Sequence, residues 1–120
     1  VQRKFRLTRS EDFKRVRRYG RSYAHPLVIL IALKNEKNEQ GSLRVGVTAG
    51  RATGTAVQRN RAKRILREAM RSLLPNIASN ADLVLVARSG IISANFDEAR
   101  QALLHLLQRA QLYTPQVHDA

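Results

Sequence analysis

Apolar positions along this chain recur with two different periods, and the switches between them mark out its elements. Between Thr8 and Gly20 the pattern predicts a helix whose inner face carries Phe13 and Val16. Thr8 and Glu11 have the spacing of a capping box, Ser10 is an alternative cap, and Gly20 is a stop. Tyr23 to Leu33 and Leu43 to Ala49 then read as two strands joined by the polar stretch Lys34 to Ser42. In the second strand Leu43, Val45 and Val47 alternate with Arg44, Gly46 and Thr48, which predicts a sheet with an exposed face suited to be a binding floor. A helical period returns at Ala62, Ile65, Leu66, Ala69, Met70 and Leu73. After a turn around Pro75 to Asn80, the run Asp82 to Ala87 is a further strand. Ser93 to Leu112 closes the fold as a structural helix, with Asn95 and Glu98 as a capping box. Its buried stripe is expected to be Phe96, Ala99, Leu103, Leu106, Leu107 and Ala110. The polar tail from Thr114 is expected to be mobile. There is no internal repeat, domain linker or low-complexity tract.

Charge changes this picture at the central helix. Asn60, Lys63, Arg64, Arg67 and Arg71 form a second stripe beside the apolar one. An amphipathic helix with a charged face is usually no more than a solvated helix, but such faces mix both signs. Between Arg51 and Arg71 there are seven Lys or Arg against a single acid, Glu68. Arg64 and Glu68 form the one i,i+4 pair, in the less favourable order. So much like charge repels itself, and a polyanion relieves the cost. From Arg3 to Arg21 nine further basic residues face two acids. Helix-dipole matching explains Glu11, Asp12, Arg17 and Arg18, but not the whole excess, so a second RNA-facing patch is expected there.

Composition narrows the partner. A chain of 120 residues is one domain able to bury a modest core, and its formal charge of +13 favours nucleic acid. Seventeen of its 22 basic residues are Arg, which suits forked phosphate contacts and stacking on bases. The absence of cysteine excludes disulfides and Cys-based zinc sites. The longest apolar run, Leu27 to Leu33, falls far short of the roughly 20 residues that span a bilayer, and a soluble cytoplasmic protein with no membrane partner is expected. His25, His105 and His118 are far apart in sequence, with His105 among leucines as a core or boundary residue, and the nine acids are scattered. Neither a catalytic histidine pair nor a two-metal carboxylate site is suggested by spacing, although three dimensions can still bring histidines together.

The pattern G-x-A-V-x-R-N-R-x-K-R-x-x-R-E at Gly54 and Ala56 to Glu68 closely resembles the defining motif of the bacterial ribonuclease P protein subunit, the small basic partner of a catalytic RNA. Phe5 to Gly20 is similar to that family's first helix, and Leu43 to Val47 to the strand before its basic helix. The likeness extends over nearly the whole chain. It implies an α+β fold, a single-domain α-β sandwich in the order α-β-β-β-α-β-α, ribosomal-protein-like, with a left-handed β-α-β crossover against the usual rule. Residues 1–120 would then be one RNA-binding domain, with about 113–120 as a flexible tail. The resemblance also implies that Arg59, Asn60, Arg61, Lys63, Arg64 and Arg67 contact the ribonuclease P RNA subunit. Phe13, Arg17, Thr48 and Arg51 would hold the single-stranded 5′ leader of precursor tRNA. On this reading the protein has no catalytic residue, metal site, cofactor or small-molecule substrate of its own, and Mg2+ serves the RNA subunit, which cuts. Two departures stand out. The loop Arg51 to Thr55 lacks one basic residue common in the family, and Arg17 and Ile31 stand where some relatives carry aromatics. Rival readings are a ribosomal or other structural RNA-binding protein, a nuclease that needs no RNA partner and, least favoured, a DNA-binding protein.

Overall fold

The computed structural model describes residues 6–34, 43–77 and 80–114. Helix α1 (Ser10–Tyr19) leads into strands β1 (Arg21–Ala24), β2 (Val28–Lys34) and β3 (Arg44–Thr48). Helix α2 (Ala56–Leu73), strand β4 (Ala81–Ala87) and helix α3 (Phe96–Arg109) follow. The order is therefore α-β-β-β-α-β-α. The four strands form one sheet in the order β1-β2-β4-β3. β1 and β2 are antiparallel, as are β2 and β4, whereas β3 and β4 run parallel with α2 as the crossover between them.

Pleating divides this sheet into two apolar faces. Val28 and Leu30 of β2, Val45 and Val47 of β3, and Leu83 and Leu85 of β4 meet Leu66, Met70 and Leu73 of α2 and Leu103, Leu106 and Leu107 of α3 in the main core. The opposite face is smaller. There Val16 of α1 packs with Leu7, Ile31 and Val84, flanked by Phe13, Ile29, Leu33 and Val86. The near-continuous apolar runs of β2 and β4 follow from this double coverage.

Several local expectations are corrected. The Thr8 capping box is not formed: α1 begins at Ser10, and Arg9 precedes it without a side-chain cap. The stretch Tyr23 to Leu33 is two strands rather than one. The chain reverses at His25, whose N–H donates to the Val28 carbonyl at 3.0 Å, with Pro26 in the turn. The last helix starts at Phe96, and Ser89–Ser93 forms a separate 3-10 turn. The capping box of Asn95 and Glu98 is present, while Phe96, expected in the buried stripe, is 42% exposed because it sits at the first turn, beyond the sheet. Tyr113, placed in the expected tail, forms a bridge with Ile77, and the Thr114 N–H donates to the Asn76 carbonyl at 2.7 Å. The rest of that tail lies outside the described residues.

Candidate nucleic-acid interface

Helix α2 begins with a capping box of its own. The Thr55 hydroxyl accepts from the Gln58 N–H at 3.2 Å, and Gln58 Oε1 accepts from the Thr55 N–H at 2.8 Å. Gly54 permits this return, since its φ of 145° disfavours other residues and a Cβ there would collide with the Gln58 side chain. Part of the motif thus serves the helix start rather than a ligand. From that fixed start, about 100° per residue distributes the basic side chains over three rows. Arg59, Lys63 and Arg67 line one flank of the buried stripe and are half-buried, whereas Asn60, Arg64 and Arg71 point outward and are exposed. Arg61 and Glu68 occupy the other flank, toward α3.

The two flanks differ in chemistry. Arg61 donates to the carbonyls of Ile92 and Ala94 at 3.1 and 3.2 Å, so its guanidinium ties α2 to the turn before α3. The opposite row has no such partners. Burial, followed by the nearby charge of Arg6, pushes the Arg67 guanidinium below its ordinary pKa. The Nε of Arg59 is buried without a hydrogen-bond partner among the described residues. Glu68 lies 3.8 Å from Arg71, not paired with Arg64 as spacing allowed. Among the described residues no carboxylate pairs with Arg59, Lys63, Arg64 or Arg67. A cationic ridge therefore stands at the edge of the sandwich with no compensating carboxylate among the described residues.

A groove opens on the other face of the sheet. Thr8, Ser10, Phe13, Lys14, Arg17, Val47 and Thr48 line a space of about 430 Å³ between α1 and β3. Phe13 forms its inner wall because β3 carries Gly46 directly beneath the ring, where a Cβ would come within 2.5 Å of Cζ. Three of the four expected leader contacts, Phe13, Arg17 and Thr48, converge here. Arg51 does not line the groove; it is exposed on the short 3-10 turn Arg51–Thr53 that leads into α2. Ile31 is buried under α1 and forms no part of the groove wall. The alternation in β3 is also only partly open: Gly46 is covered by Phe13, and Arg44 is engaged in ion pairs, which leaves Thr48.

Those pairs are what inspection of the sequence missed. Asp82, at the start of β4, is fully buried and accepts from Arg44 Nε and Nη2 at 2.9 and 2.8 Å and from Arg15 Nη2 at 2.5 Å. Asp12 of α1 lies 3.1 Å from Arg15 and 3.7 Å from Arg44. Burial alone would push the Asp82 carboxyl upward, but the hydrogen bonds and charges of Arg44 and Arg15 outweigh it and hold the group below the usual carboxylate range. The same bond to Asp82 holds the Arg44 guanidinium above its ordinary value. A lone acid opening an apolar strand was the available signal.

Folding also brings together two histidines that spacing kept apart. His25 and His105 line a shallow groove of about 560 Å³ along α3, and His105 is exposed rather than in the core. Burial and then the charge of His105 push His25 below its ordinary value. Asp97 and Glu98 share this lining, which has no Lys or Arg, so the groove repels a phosphodiester. Among the described residues no three His, Asp or Glu side chains are grouped to hold a metal ion. No helix among them is long and apolar enough to cross a membrane.

A ridge of unpaired Arg and Lys, beside an α1–β3 groove, is carried by a chain whose residues 1–111 match the Ribonuclease P family model. The chain belongs to the ribonuclease P protein family. It is 39% identical over 113 residues to the ribonuclease P protein component of Herpetosiphon aurantiacus, covering 94% of this chain and 89% of that one. Identity to the Exiguobacterium ribonuclease P protein component is 36%, covering 97% and 98%. The RNase P protein of Thermotoga maritima superposes with a TM-score of 0.75 at 29% identity, covering 87% of this chain and 96% of that structure. The Staphylococcus aureus RNase P protein shares the fold, with a TM-score of 0.80 at 24% identity and coverage of 92% and 98%. A ribonuclease P protein component is part of a bacterial tRNA-processing ribonuclease, and that is the setting in which ridge and groove are to be understood.

Proposed function

We propose that the chain binds the catalytic RNA of ribonuclease P through the α2 ridge and the single-stranded 5′ leader of precursor tRNA through the α1–β3 groove, promoting 5′ maturation of tRNA in the cytoplasm. The observation that carries this reading is the row Arg59, Lys63, Arg67 with the outward Arg64, cations that no carboxylate among the described residues neutralises. Partly desolvated guanidiniums without counter-ions are costly unless a polyanion supplies the missing charge. Phosphates of a folded RNA fit that requirement, and Arg forks give bidentate contacts. The groove suits a single strand: Phe13 offers a ring edge, Arg17 and Lys14 offer charge, and Thr48 offers a hydroxyl.

Asn60, Arg59, Lys63, Arg64 and Arg67 are assigned to the RNA subunit. Arg61 joins them only by giving up its bonds to Ile92 and Ala94, so its first role is to brace the helix. Arg51 lies on the chain between groove and ridge and is assigned to the edge of the leader path. The protein supplies affinity and placement, and hydrolysis belongs to the RNA subunit and its Mg2+. Cleavage of precursor tRNA at low magnesium tests the reading. Stimulation is expected when protein and ribonuclease P RNA are combined, with no cleavage by protein alone. Cleavage by the protein alone would make it a nuclease in its own right, and RNA binding without stimulation would make it a structural RNA-binding protein.

A further inference from the structure

The ten-residue helix α1 has two working flanks. One carries Phe13 and Arg17 and forms a wall of the groove, while the other carries Asp12 and Arg15 and is tied to the sheet at Asp82 and Arg44. A helix this short is rigid across its width, so the position of one flank fixes that of the other. We propose that Asp82 is a positioning residue for the leader groove, acting through Arg15 and Arg44 to set how far α1 stands from β3. This rests on the assignment of the groove to the leader.

Three features support it. The Asp82 carboxylate is fully buried in the second strand from the edge, so its location is set by the sheet and not by solvent. It receives one donor from α1 and two from β3, the two walls of the groove, and thus ties them through a single group. The apolar contacts of α1 are few by comparison, with Val16 its one fully buried side chain. Neutralising Asp82 leaves the Arg15 and Arg44 guanidiniums in proximity with Asp12 as the carboxylate beside them among the described residues, and their repulsion drives α1 outward. Loss of one partner of a buried pair is costly for this reason.

The test uses the holoenzyme reconstituted with ribonuclease P RNA, comparing precursor tRNA carrying a leader with leaderless tRNA. D82N is expected to raise KM for the leader-bearing substrate about tenfold, the scale of one lost charge-assisted contact, with kcat, leaderless affinity and RNA-subunit affinity little changed. An equal loss for both substrates, or a parallel loss of RNA-subunit affinity, would overturn the proposal. If D82N does not fold, R15Q and R15K carry the test, since Arg44 still satisfies the carboxylate in both. R15Q should weaken leader-dependent binding and R15K should restore most of it; identical behaviour of the two would overturn the proposal. F13A separates this from the underlying reading. A leader-dependent loss in F13A without one in D82N or R15Q defeats the positioning role alone, and no loss in F13A defeats the groove assignment as well.

Discussion

At the scale of single residues, the sharpest contrast is between arginines of the same motif. Arg61 and Arg64 both lie on exposed parts of α2, yet Arg61 donates to two backbone carbonyls and Arg64 has no partner of that kind among the described residues. Arg61→Ala is therefore expected to lower stability by about 1 kcal/mol, typical of lost hydrogen bonds from a charged but exposed group. Arg64→Ala should leave the melting temperature unchanged and weaken RNA binding, so thermal melts beside filter-binding assays distinguish them. Asp82 adds a pH dependence. Its folded-state pKa lies below the ordinary carboxylate value, so its stabilising effect is complete above about pH 4 and fades as pH falls through the folded-state value. Among the described residues, the charged groups facing it include Arg15 and Asp12 from α1 and Arg44 from β3. Acid titration of the wild type should show a loss of stability in that range which D82N lacks, measured by denaturant midpoints at each pH. None of this was legible in the chain, because Arg15, Arg44 and Asp82 are remote in sequence and only the sheet register brings them together.

At the scale of elements, helical and strand periods in the chain placed β4 and the end of α2 at Leu73 almost to the residue, since each has a continuous apolar face against the core. Placement failed where a turn interrupts an otherwise apolar run. Tyr23 to Leu33 contains enough β-forming residues for one strand, and only the reversal at His25 and Pro26 shows that it is a hairpin. Within α2 the apolar stripe is not uniform. Leu66 is fully buried, whereas Ile65 is half-buried on the flank toward α3. Leu66→Ala is expected to cost about 3 kcal/mol and Ile65→Ala distinctly less, with equal costs ruling out this orientation of the helix. Gly46→Ala tests the contact between α1 and β3 directly. Phe13 must move to admit the methyl group, so loss of leader-dependent affinity should accompany a modest drop in stability, seen in the same pair of binding and melting experiments.

At the scale of the whole molecule, a net charge of +13 was plain in the composition, but its distribution was not. Arg15, Arg44 and Arg61 are occupied within the fold, while Arg59, Lys63, Arg64 and Arg67 pair with no carboxylate among the described residues and are the cations proposed to meet RNA. The count of 22 basic residues therefore overstates the cations free to meet a ligand. Four Lys or Arg contacts to phosphates of structured RNA predict a log-log slope of RNA affinity against salt of roughly −3 to −4. A titration over monovalent salt checks it, and a slope near zero is incompatible with the proposed interface. The site was legible as a set of residue types on one helix, but its partition into ridge and brace required the packing of α2 against α3.

Strand β3 has a geometric consequence of its own. Its five residues present Thr48 to the groove on one face, and at its outer edge Val45 pairs with Arg6, whose charge is felt by Arg67 on the ridge. The groove lies on the α1 face of the sheet and α2 packs on the opposite face, so on the proposed reading a leader in the groove and an RNA backbone on the ridge would be held apart by at least the thickness of the sheet. If both were occupied as proposed, the protein would act as a ruler, fixing the offset between substrate and ribozyme by a length that neither nucleic acid controls.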